Sequence, residues 1–132
     1  MNEIQKNFDL DSACIPPQSV NGATVNGTGI ALDVADSLVA ICYAGALASG
    51  GALAWKLQQA TTVDGTYKDI SGKTASHTDT DDNTIELIEV KGSELDVANG
   101  YKYVRLVVTE SGSAACLVCG AFVRGNARYL QI

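Results

Sequence analysis

The chain has 132 residues, of which 46% are hydrophobic, 18% charged and 6% aromatic, and this length fits one compact domain better than two. Thirteen glycines and the low charged fraction argue against a helical bundle, and the apolar fraction excludes disorder throughout. Nine Lys and Arg residues against fifteen Asp and Glu residues give a formal net charge of -6, which argues against nucleic acid as a partner.

The sequence also argues against a membrane partner. No apolar run reaches the roughly 18 residues that a membrane-spanning helix needs. The first eleven residues alternate polar and apolar side chains, without the basic segment and apolar run of a secretion signal. We therefore expect a soluble protein made in a cytoplasm.

The beginning of the chain has the pattern of an extended arm. Residues 1–17 carry spaced apolar side chains among polar neighbours and end in Pro16-Pro17, which hold the backbone extended. The spaced apolar side chains are Ile4, Phe8, Leu10 and Ile15. We predict an arm over residues 1–20 whose apolar side chains dock on a neighbouring subunit, possibly by strand addition, followed by a β domain over residues 21–132.

The next segments alternate as strands do. A short strand is predicted over residues 29–34, after two Asn-Gly turn signals. Residues 38–43 are apolar on both faces and predict a central strand, whereas residues 53–58 have one polar face. We expect these two strands to form a hairpin. Leu47, near its tip, is a second candidate contact.

The second half of the chain predicts further strands. Residues 67–70 predict a short strand, residues 71–83 an exposed loop, and residues 84–90 another strand. Residues 101–109 and 114–124 are the longest β runs and are joined by a segment of hairpin length. Seven to nine strands at this spacing predict an all-β, single-domain antiparallel sandwich or jelly roll.

The cysteines resemble buried thiols more than a metal or redox site. Cys116 and Cys119 form a C-x-x-C, but residues three apart in a strand point to opposite faces. A zinc site would need more ligands than these and the lone His77. Neither Cys14 nor Cys42 supplies a second pair.

Catalytic patterns are weak. The lone His77, flanked by Ser76 and Thr78, gives no evidence of an orienting carboxylate or an oxyanion hole, and Glu86 and Glu89 are typical of solvated acids on a strand. The acidic segment 79–83 predicts a solvated loop, with a calcium site as the less favoured alternative because the glycine and closing glutamate of an EF-hand are missing. We therefore predict no enzyme activity and no cofactor.

Aromatic and basic residues offer further contact candidates. Trp55 and the tyrosines at 67, 101 and 103 lie on strand segments and predict core packing, with a subunit interface or a carbohydrate-binding face as alternatives. Three residues near the end of the chain could hold a neighbour's carboxylates or belong to an exposed tail. These are Arg124, Arg128 and Tyr129.

Four segments taken in order resemble a known family. They are LQQ at 57–59, DGTYKDI at 64–70, GYKYVR at 100–105 and FVRGNAR at 122–128. Together they resemble small virion proteins of tailed bacteriophages, of the capsid decoration or cement type. The resemblance spans residues 37–128 and does not cover the arm.

The resemblance implies a protein on the exterior of an icosahedral head that bridges neighbouring major capsid subunits. Its partners would be the major capsid protein and further copies of itself, as a dimer or trimer, with assembly in the bacterial cytoplasm. Two alternatives remain open: a carbohydrate-binding module on the virion surface that uses Trp55 or the tyrosines, and a tail or neck component.

Overall fold

A computed structural model describes residues 8–10 and 14–126 of the chain. These residues form ten strands, with two short 3-10 turns between the eighth and the ninth. The strands are β1 (Phe8–Leu10), β2 (Ile15–Val20), β3 (Thr24–Asn26), β4 (Ile30–Ala31), β5 (Asp36–Leu47), β6 (Ala52–Ala60), β7 (Lys68–Thr78), β8 (Thr84–Lys91), β9 (Tyr103–Glu110) and β10 (Cys116–Asn126). None of the described helices is long and apolar enough to cross a membrane.

The strands form two antiparallel sheets. Sheet I has the order β1-β10-β5-β8, with β2 also paired to β10, and sheet II has the order β3-β9-β6-β7, with β4 also paired to β9. When β1 and β2 are counted as one interrupted strand, and β3 and β4 as another, successive strands alternate between the sheets except at β6 and β7. This is the strand order of an eight-stranded jelly roll. The predicted antiparallel sandwich is confirmed.

The core lies between the inner faces of the two sheets. Leu38 and Phe122 of sheet I are buried there, as are Trp55, Leu57 and Leu106 of sheet II. Each such side chain contributes about 1.5–3 kcal/mol relative to an exposed one. The alternating pattern along β5 and β6 was therefore a correct guide to which residues face inward.

The hairpin predicted between residues 38–43 and 53–58 is wrong, and so is the one that the short segment between residues 101–109 and 114–124 indicated. β5 pairs with β10 and β8 in sheet I, whereas β6 pairs with β7 and β9 in sheet II. β9 and β10 are likewise in different sheets. The linkers at 48–51 and 111–115 each cross from one sheet to the other. They lie side by side, and the Ala48 N–H donates to the Ala115 carbonyl over 3.1 Å. A crossing of this kind needs as few residues as a hairpin turn.

The predicted exposed loop over residues 71–83 is also wrong for its larger part. β7 continues to Thr78 as the edge strand of sheet II and pairs along β6. Its inward side chains include Ile70 and His77, but a register irregularity and Gly72, with φ at 78°, interrupt the alternation. Because Ala75 is the one apolar side chain of β7 after Ile70, the apolar pattern of a strand is lost there.

The predicted arm is part of the sandwich where the structure describes it. β1 and β2 both pair with β10 of the same chain, and Ile15 is fully buried in the core. A separate arm reaching residue 20, with Ile15 as a partner contact, is therefore wrong. Pro16 and Pro17 are tolerated because an edge strand can lack N–H donors. The strand pairing predicted with a neighbouring subunit occurs instead with β10 of the same chain.

Candidate functional site

The outer face of sheet I is apolar. β5 is the predicted central strand, and its inner residues are buried, but its outer residues are not covered by any described part of the chain. Neighbouring strands continue the same surface, since Tyr43 is paired with Ile85, and Ile41 with Leu87. We call this surface the apolar face; it consists of Val39, Ile41, Tyr43, Ile85, Leu87, Leu117, Cys119, Ala121 and Val123.

Several large side chains on the apolar face are well exposed. Leu87 is 62% exposed, Ile85 52% and Leu117 49%. Four of the seven large exposed hydrophobic residues in the described chain lie here, the fourth being Tyr43. Contiguous exposed apolar surface of this kind marks an interaction site, whereas single exposed residues do not.

A groove of about 630 Å³ runs along part of the apolar face. Pro17 and Gln18 of β2 line one side, Ile41 and Tyr43 of β5 line the other, and β10 forms the floor. Gly45 keeps one end open, because a Cβ added there would lie 3.2 Å from the Leu117 Cβ. The groove can receive an apolar side chain from a partner.

Charged residues of both signs border the apolar face. Glu89 and Lys91 are exposed on the same side of β8 as Leu87, whereas Glu86 is paired with the buried Cys42 and lies on the opposite side. Asp82 lies at the Gly45 end, where its Oδ1 accepts a hydrogen bond from Leu47 N–H over 3.3 Å.

The outer face of sheet II is different, because its charged groups are paired with one another. Arg105 Nε donates to Gln58 Oε1 over 2.9 Å, and Gln58 Nε2 donates to Asp69 Oδ1 over 2.8 Å. Lys56 Nζ lies 3.1 Å from the same Asp69 carboxylate. The hydrogen bond from Gln58 and the contact with Lys56 lower the pKa of Asp69. This face is hydrogen-bonded within itself.

Glu110 is a buried carboxylate that the sequence did not single out. It lies at the end of β9, and its two oxygens accept hydrogen bonds from the backbone N–H groups of Gly22, Ala52, Gly112 and Ala114. These hydrogen bonds, that from Ala52 first, lower the pKa of Glu110 to about 2. Because both oxygens are occupied and the group stays ionised, Glu110 joins three loops and does not act as a proton acceptor.

His77 lies in β7 and not in a loop. It is 2% exposed, and its Nδ1 accepts a hydrogen bond of 2.9 Å from Trp55 Nε1. Trp55 itself is 1% exposed, so its ring cannot stack on a sugar. The prediction of core packing for Trp55 is confirmed, and its role in a carbohydrate-binding face is wrong.

The acidic loop after β7 uses its carboxylates on nearby backbone. Asp79 Oδ2 accepts from Gly50 N–H over 2.7 Å, and Asp81 Oδ2 accepts from Thr78 N–H over 2.8 Å. The described residues contain no group of three or more His, Cys, Asp or Glu side chains that could hold a metal ion. These carboxylates shape the loop and attach it to the linker after β5.

The four cysteines all lie within the described residues, and none forms a disulfide. Cys116 faces the core and Cys119 lies on the opposite, apolar face, as the strand pattern of the C-x-x-C predicted. Cys14 and Cys42 are buried. Burial, followed by the nearby Cys14 and Glu86, raises the pKa of Cys42 to about 12, so this thiol stays protonated.

Three of the predicted contact residues, Ile15, Leu47 and Arg124, lie away from the apolar face. Leu47 is buried at the end of β5, where the chain crosses between the sheets and forms no free hairpin tip, so its role as a contact is wrong. Arg124 donates from Nη1 to the Ala31 carbonyl over 2.9 Å and so connects β10 to β4. Ile4, Arg128 and Tyr129 lie outside the described residues. For Phe8 and Leu10, the structure describes the pairing of β1 with β10.

No protein-family model and no curated protein matches the chain. The fold does resemble solved structures. A chain of the infectious bursal disease virus Gt strain has a TM-score of 0.55 and 13% identity, over 90% of this chain and 33% of that one. VP2 of a subviral particle of infectious bursal disease virus has a TM-score of 0.56 and 11% identity, over the same two fractions.

The N-terminal cellulose-binding domain of a Cellulomonas fimi β-1,4-glucanase is similar at a TM-score of 0.48 and 12% identity, over 93% of this chain and 84% of that domain. The present chain spans about a third of the length of the viral chains it matches. At these identities the likeness to the two viral chains shows a common fold. That fold is a jelly-roll-like β domain of the type found in viral capsid proteins.

Proposed function

We propose that this protein is a structural component of a virion. In this proposal it is a decoration or cement protein that binds the outside of an icosahedral phage head, bridges major capsid subunits and stabilises the shell. The observation that carries the proposal is the apolar face, since Leu87, Ile85 and Leu117 are more exposed than a monomer with no partner would require. The jelly-roll fold, which viral capsid proteins also use, supports it.

The proposed mechanism is linkage between binding and shell stability. A protein that binds only the assembled lattice stabilises each site by RT ln(1 + [L]/Kd), about 2.7 kcal/mol at a hundredfold excess over Kd. Many copies on one head multiply this effect. No chemical step is needed, and a rigid two-sheet domain serves this role well.

The carbohydrate-binding alternative is weakened at three of its four candidate aromatic residues. Trp55 is buried, the Tyr67 ring has the Arg105 guanidinium 4.1 Å from its centroid, and the Tyr101 ring has the Lys68 ammonium at 4.1 Å. A ring already covered by a cation offers less surface for stacking on a sugar. The structure therefore gives no specific reason to favour a glycan as the ligand.

The test is to locate the protein in virions purified from the host that carries its gene. Cryo-electron microscopy should find it on the head exterior, in a fixed ratio to the major capsid protein. Heads that lack it should regain their melting temperature when the purified protein is added. Absence from the particle would refute the proposal, and density confined to the tail or neck would establish the remaining alternative.

A further inference from the structure

Arg105 is the one Lys or Arg residue in the strands of sheet II that makes no ion pair with a described residue. The three lysines of these strands each have a carboxylate partner, which are Lys56 with Asp69 at 3.1 Å, Lys68 with Asp96 at 2.7 Å and Lys73 with Glu94 at 2.9 Å. Arg105 donates from Nε to Gln58, and within the described chain its two terminal Nη groups make no hydrogen bond. The residue type best suited to bind a carboxylate through two parallel hydrogen bonds therefore has none here.

The guanidinium of Arg105 is held in place from two sides. Gln58 accepts from Nε over 2.9 Å and is fixed in turn by its hydrogen bond to Asp69. The Tyr67 ring lies against the guanidinium, whose central carbon is 4.1 Å from the ring centroid. The Tyr67 hydroxyl donates to the Val63 carbonyl over 2.8 Å, which fixes the ring. A donor group that is fixed before its ligand arrives loses less entropy on binding.

Arg105 lines an open pocket of about 390 Å³ on the outer face of sheet II. The walls of this pocket are two linkers, residues 26–29 between β3 and β4 and residues 63–65 before β7. The first wall is attached to the sheet, because Gly27 N–H donates to the Leu106 carbonyl over 2.7 Å. The pocket is therefore already formed in the free protein, as ligand sites usually are.

Gly29 allows the two walls to meet closely. A Cβ added at Gly29 would overlap the Tyr67 hydroxyl oxygen, so only glycine fits beside the ring as it lies. This contact joins the first wall to the side chain that covers the guanidinium.

The charges in the pocket restrict the kind of anion that fits. Asp64 is the one carboxylate among the lining residues; it is exposed and makes no hydrogen bond within the described chain. Its repulsion grows with the charge of the ligand, so the pocket favours an anion with a single negative charge. A carboxylate has one charge and two coplanar oxygens, which match the two Nη groups of Arg105. Phosphate carries more than one charge near neutral pH.

We propose that this pocket is a carboxylate-binding site in which the Nη groups of Arg105 donate to both oxygens of the ligand. The carboxylate belongs to a free small molecule or to an Asp or Glu side chain of another protein. The site is on the opposite side of the sandwich from the apolar face, and it goes beyond the proposed function.

The test is a titration in which sodium acetate replaces sodium chloride at constant ionic strength. The backbone amide signals of Gly27, Gly29 and Gly65 in ¹H–¹⁵N spectra should shift and saturate. Arg105→Lys keeps the charge but loses the paired donors, so it should raise the acetate midpoint about tenfold or more. Lys102→Gln removes an exposed cation outside this pocket and should leave the midpoint unchanged.

A second variant tests the charge argument without touching the guanidinium. Asp64→Asn should lower the acetate midpoint about threefold, and because Asp64 is exposed, folding should be unaffected. Inorganic phosphate at pH 7.5 should bind the unaltered protein more weakly than acetate does. Shifts that never saturate, or that are the same in Arg105→Lys, would overturn the site. Tighter binding of phosphate than of acetate would overturn the assignment of a carboxylate.

Binding to phage heads distinguishes the two sources of the carboxylate. If it belongs to a capsid protein, Arg105→Lys should weaken binding to heads about tenfold, and acetate should compete. If it belongs to a free small molecule, acetate should still fill the pocket while Arg105→Lys binds heads normally. A saturable acetate site in a protein that binds no heads would count against the proposed function alone. Head binding by a protein without that site would refute this inference alone.

Discussion

The outer faces of the two sheets come from the same strand geometry but differ in chemistry. On sheet II the charged and polar groups bind one another, as in the chain of contacts from Arg105 through Gln58 to Asp69. On sheet I the outward residues of β5 and β10 are mostly apolar, and Glu89 of β8 beside them makes no hydrogen bond or ion pair in the described chain. The difference teaches that polar groups on one face bind one another within the described chain, whereas the other face leaves large apolar side chains exposed.

The difference arises from the alternation in two central strands. In β6 the inward residues from Leu53 to Leu57 are apolar, and the outward residues include Lys56 and Gln58. In β5 the inward residues after Asp36 are apolar, and so are the outward residues Ile41 and Tyr43. A sheet covered on one side needs only the first pattern. The second pattern is typical of a strand that is covered on both sides.

The largest effect on stability is expected for Trp55→Ala, which tests whether the aromatic residue of sheet II belongs to the core. Removal of a buried indole should cost about 3–5 kcal/mol, measured by urea unfolding. Trp55→Phe keeps most of the volume but leaves the His77 Nδ1 without its donor, and it should cost less. A folded, equally stable Trp55→Ala variant would contradict the assignment.

The next effect is expected at Glu110, where acid should destabilise the loops that join the sheets. Its pKa is lowered from 4.5 to about 2 in the folded protein, so its stabilising effect is complete above about pH 4.5. As the pH falls from there to about 2, the unfolded chain binds the proton first and this stabilisation is lost. Glu110→Gln should lower the melting temperature at pH 7 and depend less on pH in this range.

Glu89→Gln is the control for Glu110, since Glu89 is exposed and makes no hydrogen bond in the described chain. Its melting temperature should stay close to that of the unaltered protein at both pH 7 and pH 3. Equal pH profiles for the two variants would contradict a special role for the Glu110 carboxylate.

A smaller effect is expected for Asp69→Asn on the outer face of sheet II. The variant weakens the ion pair with Lys56, and because the Asp69 side chain is 62% exposed, the loss should be below about 1 kcal/mol. Differential scanning calorimetry at low and at high salt should show that the difference shrinks as salt is added. A difference that does not depend on salt would argue against an electrostatic origin.

The smallest effect on stability is expected for Leu87→Ser on the apolar face. Because Leu87 is already exposed in the monomer, stability should change by less than about 0.5 kcal/mol. The binding of an apolar dye such as ANS should nevertheless fall, whereas Ser76→Ala on sheet II should not change it. A large loss of stability would show that Leu87 packs within the monomer.

The fold class could be predicted from the sequence, but the strand pairing could not. Alternation along β5, β6 and β10 identifies strands because it reports which residues face inward. It does not report the neighbour of a strand, and the short linkers at 48–51 and 111–115 have the same length as hairpin turns. The alternative, a crossing between sheets, depends on contacts between distant residues that no local pattern contains.

The candidate site was predictable only in part. The double apolar pattern of β5 was visible in the sequence and correctly indicated a central strand. It could not show that the outer side of Ile41 and Tyr43 lacks a covering layer, because exposure depends on the whole fold. For Ile15 the sequence was misleading in the other direction. The two prolines after it indicated an exposed arm, yet this segment pairs with the edge of β10 and Ile15 is buried.

The order of the strands also governs how the chain can fold. Within the described residues, β6 and β7 are the one pair of chain neighbours that are also sheet neighbours, and β10 must join β2 and β5 from the far end of the sequence. Non-local pairing of this kind slows folding, so the β6–β7 hairpin is the natural nucleus. During synthesis, sheet I therefore stays open until β10 leaves the ribosome. Until then, strands destined for the interior remain exposed to other nascent chains.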